Sequence, residues 1–151
     1  MHRRRTTTFL SVPPIPPYYR QLLDTAQAYR RQEEYDVAVI VAQTASELVT
    51  ESAFETLFRV HGVTEKDRKH LLPRSYNLTN DRVKALYVLL SHDKIQRQTF
   101  WSGFKEHVEL RNGIVHKGEK AKARQAQASL DAVTELIAHV EAVIANASAV
   151  E

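Results

Sequence analysis

Residues 36–62 read DVAVIVAQTASELVTESAFETLFRVHG, and the fold turns on whether the opening valines start a strand or a helix. β-branched residues suit a strand, yet no turn residue interrupts the run until Gly62, and about 25 residues is far beyond strand length. One long helix is therefore expected, capped by Asp36 and ended by Gly62. Its first half is apolar all round, which predicts the central, most buried helix of the domain. Gln43, Glu47 and Glu51 form an i, i+4 polar stripe on it, and a carboxylate on a central helix needs a partner.

The rest of the chain agrees with a helical reading. It has 151 residues, enough for one domain with its own core. Only four glycines and five prolines punctuate long Ala/Leu/Glu/Arg/Gln-rich segments, too few turn signals for many short strands. Residues 1–17 are expected to form an extended, basic, Pro-rich arm, with Phe9, Leu10, Val12 and Ile15 available to strap it onto the domain or a second subunit. From 18 to 147 a helical domain is expected. Its first helix spans about 18–34, with Leu22, Leu23, Ala26 and Tyr29 at helical spacing. Thr64 and Asp67 form a capping box with Asp in place of Glu and start a short helix that ends before Pro73. Further helices are expected over about 80–91, over 98–117 with Gly118 as the C-cap, and over 121–146.

Cysteine is absent, which excludes disulfides and thiolate chemistry and suits a reducing cytoplasm. No uninterrupted apolar run approaches the roughly 18 residues of a membrane span, so no membrane partner is expected. His61, His70, His92, His107 and His139 show neither HExxH nor paired i, i+4 spacing, so no metal and no cofactor is expected. There is no P-loop and no GxGxxG. The net charge of +3 is modest, but the cations cluster, as Arg3, Arg4 and Arg5 and as Lys117, Lys120, Lys122 and Arg124. Two such patches fit a polyanion such as nucleic acid, and they equally fit solvated surface.

The stretch VELRNGIVHKG, residues 108–118, carries the chemistry. At about 100° per residue, Phe100, Trp101, Phe104, Val108, Ile114 and Val115 all fall within roughly 80° of Arg111, so a guanidinium sits in the middle of an apolar arc. His116 lies about 140° around, near Asn112 and Glu109. An uncompensated cation in such a seam costs several kcal/mol, so it meets either a carboxylate, Glu47 or Glu51, or a phosphate. Chance supplies roughly 0.6 matches to R-x4-H at this composition, and about 0.02 once Asn must follow Arg.

The segment LRNGIVHKG resembles the R-N-x-x-x-H signature of HEPN domains, small all-α proteins of four to five helices that include many metal-independent endoribonucleases of toxin, abortive-infection and CRISPR-associated systems. More loosely the likeness covers about 18–146, through AQTASELV with its Glu47 and through FWSGFKEHVEL. It implies an all-α, HEPN-like helical bundle, a catalytic role for Arg111, Asn112 and His116, support from Glu47, and a homodimer in which two copies meet. It further implies a toxin or phage-defence effector, with an antitoxin or other regulatory protein as a partner. Relatives that have lost catalysis bind RNA, nucleotide or protein instead. One branch carries a modified tyrosine two residues after the histidine. Gly118 stands there in this chain, so that modification is not expected.

The residue types suit the chemistry. Metal-free RNA cleavage needs a base for the ribose 2′-OH, an acid for the departing 5′-oxygen and cations for the phosphorane. Histidine performs either proton task, arginine grips phosphate in bidentate fashion, and lysines contact the backbone without sequence specificity.

Overall fold

The computed structural model describes residues 13–72 and 74–150. Among them are six α-helices, one 3₁₀ turn and no strand, in the order α1 (Tyr18–Arg31), α2 (Tyr35–Val60), α3 (Glu65–Leu71), α4 (Asp81–Ser91), the 3₁₀ turn Ile95–Arg97, α5 (Trp101–Lys117) and α6 (Ala123–Ser148). The chain is all-α.

α2 is the central helix, as its pattern predicts. By length and composition it is apolar enough to cross a membrane, yet more than half of its most apolar window is buried against other helices. It packs most extensively against α6 and α1, and α5 closes on α6 and α2. Ala38, Ala42, Ala45 and Ala53 are fully buried on α2, and these short side chains let Leu130, Val133, Leu136, Ile137 and Val140 of α6 approach closely. The β-branched residues follow the helix because burial on several faces outweighs a propensity difference of a few tenths of a kcal/mol. A smaller cluster of Val39, Ile114 and Ala126 fastens the end of α5 and the start of α6 to the N-terminal part of α2. That cluster fixes the motif's place in the fold.

Helix ends follow local chemistry with instructive exceptions. Thr64 caps α3 by accepting from Asp67 N at 3.2 Å, and Asn80 caps α4 by accepting from Arg82 N and Val83 N. Gly118 ends α5 at φ +66, where a Cβ would be strained. Asp36, by contrast, is not the cap of α2. It sits in the first turn, and its carboxylate reaches across to the α5–α6 connection, accepting from Ala121 N at 2.6 Å. With Ala121 N so engaged, and Glu119 N bonded to Gly113 O at 3.1 Å, α6 starts at Ala123, two residues later than expected. α5 likewise starts at Trp101 rather than Gln98, because Gln98 closes the preceding 3₁₀ turn through a bond to Ile95 O. α1 stops at Arg31, and Glu33 turns the chain at φ +63.

Residues 13–17 are coil and exposed. Ile15, expected to help strap the arm down, is 85% exposed. Phe9, Leu10 and Val12, like Arg3, Arg4 and Arg5, lie outside the described residues.

Candidate functional site

α5 presents the motif. Trp101, Phe104, Val108 and Ile114 are buried as the helical arc predicts, and Phe100 joins them from the position before the helix. Val115 does not follow, being 45% exposed beside His116. Arg111 is half-buried, and its Nη1 donates to Asn112 Oδ1 at 3.1 Å. Its Nε–H is buried and has no acceptor. Among the described residues no carboxylate lies within ion-pair distance of this guanidinium. Glu47 instead accepts from Gln43 Nε2 at 2.8 Å, so the structure does not bring Glu47 onto Arg111.

The residue that shares the buried face with Arg111 is His107, one turn earlier and only 1% exposed. Its Nε2 bonds to Gln43 Oε1 at 3.0 Å, and its Nδ1 meets Ser129 Oγ in a short contact. Gln43 turns its amide nitrogen to Glu47, so its oxygen must accept. His107 therefore carries its proton on Nε2 and takes the Ser129 hydroxyl proton on Nδ1. A hydrogen-bonded chain Ser129–His107–Gln43–Glu47 thus crosses α6, α5 and α2 and ends on the Glu47 carboxylate. Burial foremost, and then the charge of Arg111, push the His107 pKa down to about 4. With the imidazole neutral, the Arg111 guanidinium carries the positive charge on this face of α5, one turn from His107. His107 had stood among the unlinked histidines of the sequence, although the same 100° arithmetic places it about 40° from Arg111.

His116 and Asn112 are exposed on α5, and no hydrogen bond joins His116 to Arg111. Helix geometry sets the imidazole about 140° away from the guanidinium, so one protomer does not bring the two together. Between them Gly113 gives passage to Glu119. A Cβ at Gly113 would fall on the Glu119 carboxylate as the chain folds back over the end of α5.

The basic tail divides in three. Lys117 is exposed past the helix end. Lys120 pairs with Asp36 at 3.0 Å while staying 87% exposed. The Asp36 carboxyl is held below its ordinary value by the Ala121 N–H foremost and by Lys120 as well, against the cost of partial burial. Lys122 and Arg124 line a cleft of about 550 Å³ between α5 and α6, whose wall includes Leu110 and whose floor is the His107–Ser129 pair. Lys122 and Arg124 share this cleft with the Glu106 carboxylate, and Arg111 follows the cleft residue Leu110 on α5.

Among the described residues no three His, Asp or Glu side chains converge as metal ligands. A second polar cluster lies at the opposite end of α6, where Asp93 Oδ2 accepts from Tyr87 OH and meets His139 Nε2, both at 2.8 Å. Compared with family models, with curated proteins and with solved structures, the chain matches none.

Proposed function

We propose that this chain is a HEPN-type, metal-independent endoribonuclease that works as a homodimer in the cytoplasm, as a toxin or phage-defence effector. The observation that carries the reading is Arg111, a half-buried guanidinium with a buried Nε–H and, among the described residues, no acceptor for it and no carboxylate in reach, standing in the sequence Arg-Asn-Gly-Ile-Val-His. A guanidinium short of acceptors is costly unless an anion completes it, and an RNA phosphate can do so at the Nη end, which is exposed where it meets Asn112.

In this reading Arg111 grips the scissile phosphate and stabilises the phosphorane, while Asn112 Oδ1 holds Nη1 in orientation. His116 of one protomer takes the proton of the ribose 2′-OH as the 2′-oxygen attacks phosphorus. The same histidine of the second protomer gives a proton to the 5′-oxygen as the P–O5′ bond breaks, leaving a 2′,3′-cyclic phosphate and a 5′-OH. The 140° offset within one protomer is why two copies are needed, with a twofold axis setting two α5 helices side by side. Lys117, Lys122 and Arg124 follow the flanking backbone, and Lys120 joins them at the cost of its Asp36 contact. Arg3, Arg4 and Arg5, outside the described residues, are the further cations proposed to contact RNA. A toxin needs restraint, so an antitoxin or other regulatory protein is part of the proposal.

The test is RNA incubated in EDTA with wild type, Arg111→Ala and His116→Ala. Cleavage by wild type to cyclic-phosphate ends, reduced about 10²–10⁴-fold in the His116 variant, supports the enzyme. RNA that is bound but stays intact supports the second reading, a non-catalytic dimer that holds RNA, nucleotide or a protein partner on the same surface. The exposure of His116, with no hydrogen bond to another of the described residues, is the observation that favours that second reading.

A further inference from the structure

The cleft between α5 and the start of α6 carries a charge arrangement that phosphate binding alone does not use. Lys122 and Arg124 stand on its α6 side and Glu106 on its α5 side. All three are exposed, and none forms an ion pair among the described residues, so they face one space without neutralising one another. Leu110 and Ala128 supply apolar walls from the two helices. At about 550 Å³ the cleft falls in the range of small-ligand sites, roughly 300–1,000 Å³. Its floor is closed chemistry, since both ring nitrogens of His107 are already bonded. Discrimination therefore falls to Glu106 at the rim.

A ligand that satisfies this lining has an anion at one end, a flat apolar middle and adjacent hydrogen-bond donors at the other end. We propose that the α5–α6 cleft is a nucleobase subsite selective for guanine, with the ring between Leu110 and Ala128, its N1–H and 2-amino group on the Glu106 carboxylate, and its phosphate against Lys122 and Arg124. An ionised carboxylate only accepts hydrogen bonds. Guanine alone among the four bases offers two neighbouring donors on its Watson–Crick edge. Adenine and cytosine set a ring acceptor beside their amino group, and uracil flanks one N–H with two carbonyls, so each would turn a lone pair toward Glu106. The start of α6 adds the positive end of a 26-residue helix to the phosphate side.

This subsite rests on the RNA-binding reading above and deepens it. Arg111 follows Leu110 on α5, so a base held here would select which phosphodiester reaches the guanidinium. The experiment is calorimetric titration of the full chain with GMP, AMP, CMP and UMP, using wild type, Glu106→Gln and Lys122→Gln/Arg124→Gln. GMP should bind at least about tenfold more tightly than the others, the size of one charge-assisted hydrogen bond. Glu106→Gln, at an exposed position that leaves the core intact, should weaken GMP roughly tenfold to a hundredfold and leave the other three unchanged. The double variant should weaken all four together. Equal affinities in wild type, a GMP preference that survives Glu106→Gln, or no nucleotide binding overturns the proposal. RNA cleavage without GMP binding removes the subsite and leaves the nuclease standing. Selective GMP binding with intact RNA does the reverse.

Discussion

His107 and Arg111 stand one helical turn apart on α5, and the guanidinium adds to burial in holding the imidazole neutral, with its pKa pushed down to about 4. The pair defines the electrostatics of the seam. A neutral histidine can serve as both donor and acceptor, which an imidazolium cannot, and the bonds to Gln43 and Ser129 use both capacities.

Stability should therefore fall in mild acid. A folded-state value of about 4 lies below the unfolded value near 6.5, so the unfolded chain binds the extra proton first. The contribution of neutral His107 is complete above pH ~6.5 and is lost as pH drops towards about 4, up to roughly 3 kcal/mol. Urea unfolding at pH 7.5 and at pH 4.5 measures it. Arg111→Gln should raise the His107 pKa while leaving it below its ordinary value, because burial is the larger cause. An imidazole titration by NMR that stays unmoved in that variant would contradict the coupling.

Two glycines near the motif should respond to alanine with opposite signs. Gly118→Ala puts a side chain at φ +66 and should cost about 1 kcal/mol. At Gly113 the obstructing atoms are the mobile end of the exposed Glu119 side chain. Swinging that chain aside costs little, so helix propensity decides, and Gly113→Ala should stabilise by about 0.5–1 kcal/mol. Thermal melts of the two variants check the pair, and a destabilised Gly113→Ala would show that Glu119 is fixed in place.

Asp36 joins the first turn of α2 to the α5–α6 connection. Asp36→Ala should cost about 1–3 kcal/mol through the lost Ala121 N–H bond. Lys120→Ala should cost less than about 1 kcal/mol, with a salt dependence, because the lysine is mostly exposed. As the Asp36 carboxyl is held low, its contribution is present above its unfolded value and fades as pH falls through the folded one. Equal costs for the two variants would mean that the ion pair, and not the backbone bond, holds the connection.

Tyr87 is fully buried and gives its hydroxyl proton to Asp93. Tyr87→Phe should cost about 1–2 kcal/mol in denaturant midpoints. Burial foremost, and then Asp93, raises the Tyr87 pKa, so wild type should lose stability as pH rises past ~10, where the unfolded tyrosine ionises. The phenylalanine variant should lose less over the same range.

Much of the architecture was legible before any coordinates. Helical class, the central place of α2, the Thr64 cap of α3 and the Gly118 stop of α5 all rest on interactions within a few residues, and a linear pattern records those. Arg111, Asn112 and His116 were legible as a motif for a related reason, their spacing on a single helix. What tertiary structure alone decided is where each polar group finds its partner. His107 meets Ser129 across 22 residues and Gln43 across 64, and Asp36 reaches Ala121 across 85. Glu47 turned to its neighbour Gln43, leaving Arg111 without a carboxylate among the described residues. Hydrogen bonds between helices depend on how the bundle closes, and closure is set by the summed burial of apolar side chains, a quantity no short stretch of sequence contains.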